Sequence, residues 1–242
     1  FAAAEVGLKH VINEGLMIYP GYTPLQNVEP LILHYGLPFT VGNWSFSKYD
    51  HRNDDVVYRC GKIFDPPPYP KEVEAMESDV DKKRGMYLSI VCVNTINEGL
   101  IRHHKASGCT KPKWSKYESF LKSKAFAALT QPKRHQPKIH TLFSTECNSY
   151  FDWQTVGFMH SFRTSGQPGD VTRLLSCTDD DLKRYRGHDL APTHYVPSFS
   201  RHPLTGDWYP AINKPAAVLH WLHHAKIDVE FVVILDADMV LR

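Results

Sequence analysis

Apolar residues in the second half of the chain fall into two alternating kinds of run. Ile139-His-Thr-Leu-Phe143, Val171-Thr-Arg-Leu-Leu175, His194-Tyr-Val196 and Phe231-Val-Val-Ile-Leu235 are short and rich in β-favouring residues, and each predicts a strand. Between them apolar residues recur at helical spacing. Val156, Met159 and Phe162 form one stripe within Trp153 to Phe162, and Val218, Trp221, Leu222 and Ala225 form another. Asp179-Asp-Asp-Leu182 predicts a short helix with its acids where the helix dipole favours them. Asn213-Lys214-Pro215 opens the last helix, with Asn as a cap and Pro in the first turn. Strand and helix in strict alternation predict an α/β fold with a mostly parallel sheet covered by helices on both sides. The Phe231 run, bounded by charge at both ends, predicts a central strand buried on both faces.

The first half is patterned differently. Ala2 to Asn13 predicts a helix, and Leu16 to Tyr19, Leu31 to Tyr35 and Phe39 to Val41 predict short strands, with Trp44 and Phe46 available to cap a core. Asp65-Pro-Pro-Pro-Tyr-Pro70 disfavours helix and sheet ladder alike and marks a boundary. Glu72 to Arg84 predicts a solvated linker with some helical character, and Leu88 to His104 a helix. Lys111 to Lys138, basic and broken by prolines, predicts a tether. The expected organisation is therefore 1–64, a linker over 65–138 with a helix near 88–105, and 139–242. No internal repeat is visible.

Composition changes this picture little. An apolar fraction of 42% in 242 residues suits one large domain or two small ones, and a net charge of +2 argues against a dedicated nucleic-acid binder. No apolar run approaches the ~20 residues of a spanning helix. The chain opens on Phe1-Ala-Ala-Ala-Glu5 without a starting Met or a signal peptide, and stops four residues after Asp238; both ends look cut, as in a fragment. Five cysteines do not settle the compartment. Cys92 and Cys109 could bridge if the chain folds back at Gly108, and Cys147 and Cys177, which follow two neighbouring strands, could also pair; small buried hydrophobes are an equal alternative. Asn43-Trp44-Ser45, a glycosylation acceptor triplet, leans towards the secretory pathway.

The chemistry gathers at Asp236-Ala-Asp238. Alternate residues leaving a strand share a face, so the two carboxylates are expected to point together at the carboxyl end of the sheet, where open α/β folds bind ligands. Paired acids there suit Mg²⁺ or Mn²⁺ with a diphosphate completing the coordination. Ser144, Thr145 and Glu146 end the first strand at the same rim, and Asn213 and Lys214 open a helix whose N-terminus favours an anion. Together these features point to a nucleotide-sugar site. Two alternatives stay open. Asp236-Ala-Asp-Met-Val240 also fits the phosphatases of the haloacid dehalogenase type, with Asp236 as nucleophile and Asp238 as general acid, although that motif normally opens its domain. The other is an inert module that binds carbohydrate or protein. His34, inside an apolar strand, is either a hydrogen-bonded core histidine or a metal ligand.

Several longer motifs carry a resemblance. They are Lys138-Ile-His-Thr-Leu-Phe-Ser-Thr-Glu146, Tyr150-Phe-Asp-Trp-Gln154, Thr172-Arg-Leu-Leu-Ser-Cys-Thr178, Ser200 to Pro210, Ala211-Ile-Asn-Lys-Pro215 and Val233-Ile-Leu-Asp-Ala-Asp-Met239. With Leu33-His-Tyr-Gly-Leu37, Val41-Gly-Asn-Trp-Ser-Phe46 and Asn97-Glu-Gly-Leu100, they resemble plant glycosyltransferases of the hydroxyproline O-arabinosyltransferase-like family, on the branch that galactosylates peptidyl serine. The resemblance implies a GT-A type, Rossmann-like fold in two tandem copies. Residues 1–64 would be the C-terminal part of the first copy, and 139–242 the nucleotide-binding half of a second. It implies retaining transfer of galactose from UDP-galactose to serines of hydroxyproline-rich proteins, with Mn²⁺ or Mg²⁺, in the ER or Golgi lumen, with membrane attachment only through a segment outside this chain. By position, Asp238 would bind metal and Asp236 metal or ribose. Ser144, Thr145 and Glu146 would lie near the nucleoside, and Asn213 and Lys214 near ribose and phosphates. Gln154 would belong to the site and Trp153 either there or in the core, while His34 would serve the first copy's metal. No catalytic base is implied.

Overall fold

A computed structural model describes residues 15–242 except 27, 111–113, 124–125, 127–138, 203, 227 and 230. The helix expected over 2–13 and most of the tether expected over 111–138 fall outside the described residues. The second half of the chain builds a four-stranded, all-parallel sheet from β5 (Ile139–Glu146), β6 (Asp170–Cys177), β7 (Thr193–Pro197) and β8 (Phe231–Asp236), in the order β7-β6-β5-β8. The sheet is part of a mixed α/β arrangement. β5 holds the centre, with Glu146 opposite Ser176 on β6 and Ser144 opposite Asp236 on β8.

One expectation needs correcting. β8 is an edge strand of this sheet, and Phe231 and Ile234 are exposed. Val232 packs towards Trp221, and Val233 and Leu235 pack towards Phe158 and Met159, so both faces do meet protein. An apolar run specifies what lies above and below a strand, but not whether another strand continues the ladder beside it.

Short strands from the first half lie in other sheets. β2 (Ile32–His34) pairs in parallel with β1 (Met17–Ile18) and antiparallel with β9 (Met239–Leu241), while β3 (Phe39–Val41) and β4 (Trp44–Phe46) form a hairpin. Trp44 and Phe46, expected only as caps, thus belong to a strand. The hairpin turns at Gly42-Asn43 with Gly42 at φ +59°, and the Asn43 side of the glycosylation triplet is exposed. The β2–β9 pairing places His34 opposite Met239, next to the acidic turn.

Among the described residues three helices precede β5: α1 (Pro70–Met76), α2 (Val80–Ala106) and α3 (Ser115–Leu121). α2 begins well before the expected Leu88, because Asp79 caps it by accepting a hydrogen bond from the Lys82 amide at 2.9 Å. Its middle is buried on every side, from Leu88 through Leu100 with Glu98 half exposed, so it is a core helix rather than a solvated one. It crosses α4 (Ser149–Ser165) closely. A Cβ on Gly99 would stand 2.9 Å from the His160 Cβ, and one on Gly157 would stand 3.1 Å from Ile96. α4 starts at an Asn148 cap and stops at Gly166, at φ +70°. α5 (Asp179–Arg184) and α6 (Asn213–His224) follow β6 and β7.

Segments far apart in sequence share one core, in which Tyr35, Phe46, Phe64, Ile96, Trp153 and Val240 meet. Asp152 on α4 adds a polar tie, accepting hydrogen bonds from Tyr58 and Tyr185. Two disulfides close loops: Cys60–Cys109, with Cα atoms 5.7 Å apart, and Cys147–Cys177, at 5.5 Å. Cys147 and Cys177 therefore pair as envisaged, whereas Cys92 is a free, buried thiol and Cys109 joins Cys60. The geometry of α2 explains this: fourteen residues of helix, Val93 to Ala106, rise about 21 Å between Cys92 and the turn that carries Cys109. Disulfides suit an oxidising, secretory compartment. No helix among the described residues is long and apolar enough to cross a membrane.

Candidate functional site

At the carboxyl end of the parallel sheet lies a cavity of about 620 Å³. Its floor is the turn between β8 and β9. Asp236 ends β8, Ala237 turns into the core with 3% of its surface exposed, and Asp238 leads into β9. The alternation expected of strand residues therefore holds through the turn, and both carboxylates face the cavity. The Tyr35 amide donates to the Asp238 carbonyl at 3.1 Å, which fixes the turn against the end of β2.

His34 reaches the same floor from β2. Its Nε2 lies 3.2 Å from Asp238 Oδ2, its ring stacks on Tyr19 with centroids 4.9 Å apart, and its Nδ1 is buried without a partner. His34, Asp236 and Asp238 can each offer one ligand atom, all within 4.8 Å of one another. Two carboxylate oxygens and an imidazole nitrogen suit Mn²⁺, and among the described residues the His34 ring's hydrogen bond runs to Asp238, a member of the same donor set, with Nδ1 unpartnered.

Each acid also has an ammonium partner. Lys48, in a 3-10 turn just after β4, contacts Asp238 Oδ2, and Lys214 on α6 donates to Asp236 Oδ1 at 2.6 Å. Burial pushes the Asp238 carboxyl upward, but the His34 hydrogen bond and the Lys48 charge outweigh it and hold the group below the usual carboxylate range. Lys48 is affected in the mirror sense: burial opposes its charge, and Asp238 more than restores it. The two groups are therefore a stable ion pair.

The other predicted residues assemble around this floor. Ser144, Thr145, Glu146, Gln154, Asn213 and Lys214 all line the cavity. Thr145 is nearly inaccessible and its hydroxyl has no partner, whereas Gln154 donates to the Tyr150 carbonyl at 2.9 Å. Asn213 does not cap its helix. Its side chain instead donates to Glu146 Oε1 at 2.8 Å and to Ser200 Oγ at 2.7 Å, and accepts from the Phe199 amide at 2.7 Å. It thereby ties the end of β5, the start of α6 and the loop between β7 and α6. A 3-10 turn over Pro210–Ile212 precedes α6 and supplies the local start that a cap would have given. Trp153 is wholly buried and belongs to the core, not to the site.

Sequence reasoning missed Lys48, Arg52, Tyr150 and Trp208, which also line the cavity. Trp208 carried a signal, since it sits in a long polar-aromatic loop, and it is 68% exposed at the cavity wall. Lys48 and Arg52 carried none, because only the docking of the first-half segment brings them here.

Residues 139–242, the part that supplies most of the cavity, match the Hydroxyproline O-arabinosyltransferase family N-terminal domain. Along its whole length the chain is homologous to a peptidyl serine alpha-galactosyltransferase from Arabidopsis thaliana, at 65% identity over 265 aligned positions, covering 100% of this chain and 33% of that protein. A peptidyl serine alpha-galactosyltransferase from Chlamydomonas reinhardtii is 42% identical over 106 positions, or 43% of this chain and 14% of the relative. Both relatives are glycosyltransferases by name. The chain spans about a third of the length of its Arabidopsis relative. No solved structure matches it.

Proposed function

We propose that this chain carries the nucleotide-sugar site of a GT-A type, metal-dependent galactosyltransferase acting on peptidyl serine. The observation that carries the reading is the meeting of His34, Asp236 and Asp238 at the floor of one cavity with the start of α6 at its side. A divalent cation held there would neutralise the charge that builds on a departing diphosphate. The chain's own groups do the rest. Lys214 and the first amides of α6 attract the phosphates. Ser144, Thr145, Glu146 and Gln154, with Asn213 fixing Glu146 in place, line the side where ribose and base would lie. Asp236 serves the metal or the ribose, Asp238 the metal. The sugar carried would be galactose from UDP-galactose, and the acceptors serine hydroxyls of hydroxyproline-rich proteins, with retention of anomeric configuration. No group is assigned as catalytic base.

In the same reading the longer protein has two GT-A-like copies, with 1–64 from the end of the first, 65–138 connecting, and 139–242 opening the second; His34, expected to serve the first copy's metal, would instead serve the site of Asp236 and Asp238. Work in the ER or Golgi lumen fits the two disulfides, and a membrane segment would lie outside this chain. Titration with UDP-galactose in the presence of Mn²⁺ is expected to give saturable binding that EDTA removes and that an Asp236→Asn/Asp238→Asn double variant lacks. Undiminished binding by that variant would refute the reading. Cleavage of a simple phosphate monoester, lost in Asp236→Asn, would put the phosphatase alternative in its place.

A further inference from the structure

The cavity is electrically balanced before any ligand arrives. Its charged lining groups are Lys48, Arg52 and Lys214 against Glu146, Asp236 and Asp238. The acids that would hold a cation are not free, for each already carries an ammonium. The arrangement at Asp238 is the more telling, because the Lys48 ammonium and the His34 imidazole converge on one atom, Oδ2. Asp238 would hold a cation beside His34 through a carboxylate that already carries the Lys48 ammonium, so the ion and Lys48 would compete for the same group.

The geometry points to Lys48 as an internal counter-cation that holds the metal position until a nucleoside diphosphate arrives, and then turns from Asp238 to the phosphates. This rests on the nucleotide-sugar reading and adds an order to it: metal and diphosphate bind together far better than either binds alone. The charge balance gives the reason. A divalent ion entering by itself must push an ammonium out of a buried ion pair and leave a neutral cavity with two excess positive charges. A diphosphate entering with it supplies the negative charge that receives both the ion and the released ammonium. By linkage, whatever the diphosphate adds to metal affinity the metal adds to diphosphate affinity. Lys214 acts in the same direction on Asp236, but with each side chain 38% exposed its pairing is softer and more easily exchanged.

Mn²⁺ titration of this chain, with and without UDP, tests the idea by binding rather than by turnover. The native chain is expected to bind Mn²⁺ weakly alone and at least roughly tenfold more tightly with UDP present. In Lys48→Met, Mn²⁺ alone should bind roughly tenfold more tightly than to the native chain, and the gain conferred by UDP should shrink by a similar factor. Lys214→Met should move both quantities the same way by less, and it carries the test if Lys48→Met does not fold. Lys48→Met, or failing it Lys214→Met, binding Mn²⁺ alone no better than the native chain would overturn the counter-cation role while leaving the nucleotide-sugar site standing. Absence of Mn²⁺ binding by the native chain even with UDP would overturn both.

Discussion

The two walls of the cavity make an instructive pair. One comes from the parallel sheet and its helices, residues 139–242, and presents Ser144, Glu146, Asn213, Lys214 and Asp236. The other comes from residues 34–52 and presents His34, Lys48 and Arg52. On the first wall the ion pair Lys214–Asp236 stands at the rim, with each side chain 38% exposed. On the second Lys48–Asp238 is buried, with side chains 13% and 7% exposed. The same chemical pairing therefore has two different weights. At the rim water screens it and it can exchange freely, whereas at the floor it is part of what joins the two segments.

The largest expected effect is on the seam between the walls. Trp153 packs against Tyr35 at 5.9 Å and Phe64 at 4.9 Å between ring centroids, so it bridges the segments from inside. Trp153→Ala should cost about 3–5 kcal/mol in denaturant unfolding. A loss below about 1 kcal/mol would mean that the segments do not depend on one another. Next come the acids compared with each other. Asp238→Asn leaves the Lys48 ammonium buried without its counterion and should cost about 3 kcal/mol, against less than about 1 kcal/mol for Asp236→Asn at the rim. Equal losses would erase the distinction between the walls.

The smallest effect is one of pH, away from the cavity. Glu98 on α2 lies 3.4 Å from the His160 ring on α4 and 2.7 Å from Arg102. Burial raises its carboxyl, but the His160 and Arg102 contacts outweigh this and hold it below its ordinary value. A carboxyl depressed in the folded state adds stability above its unfolded pKa, near ~4.3, and loses that contribution as pH falls through the folded value. Glu98→Gln should therefore lower stability at pH 7 by about 0.5–1 kcal/mol and converge with the native chain in acid. A difference that persists unchanged at low pH would show that Glu98 acts through packing instead.

The comparison also explains what could be read in advance. Strand and helix order over 139–242 was legible because each element carries its own period, and Asp236, Asp238, Glu146 and Lys214 were legible because elements of a parallel sheet end at a common rim. Asn213 lines the cavity, but its side chain reaches Glu146 and Ser200 rather than capping its own helix as its position in the sequence led one to expect. α2 was harder. Buried on all sides through its middle, it lacks the polar face from which its extent could be measured.

By itself, then, the sequence determined which residues form strands and helices in the second half, and that two carboxylates would leave the sheet side by side. Those are local consequences of backbone geometry and apolar spacing. Only the tertiary structure decided that β2 lies against β9, that His34 and Lys48 meet Asp238 across about two hundred residues, and that Cys109 pairs with Cys60 rather than Cys92. Such contacts depend on how segments distant in the chain bury their apolar faces together, and no local period records that choice.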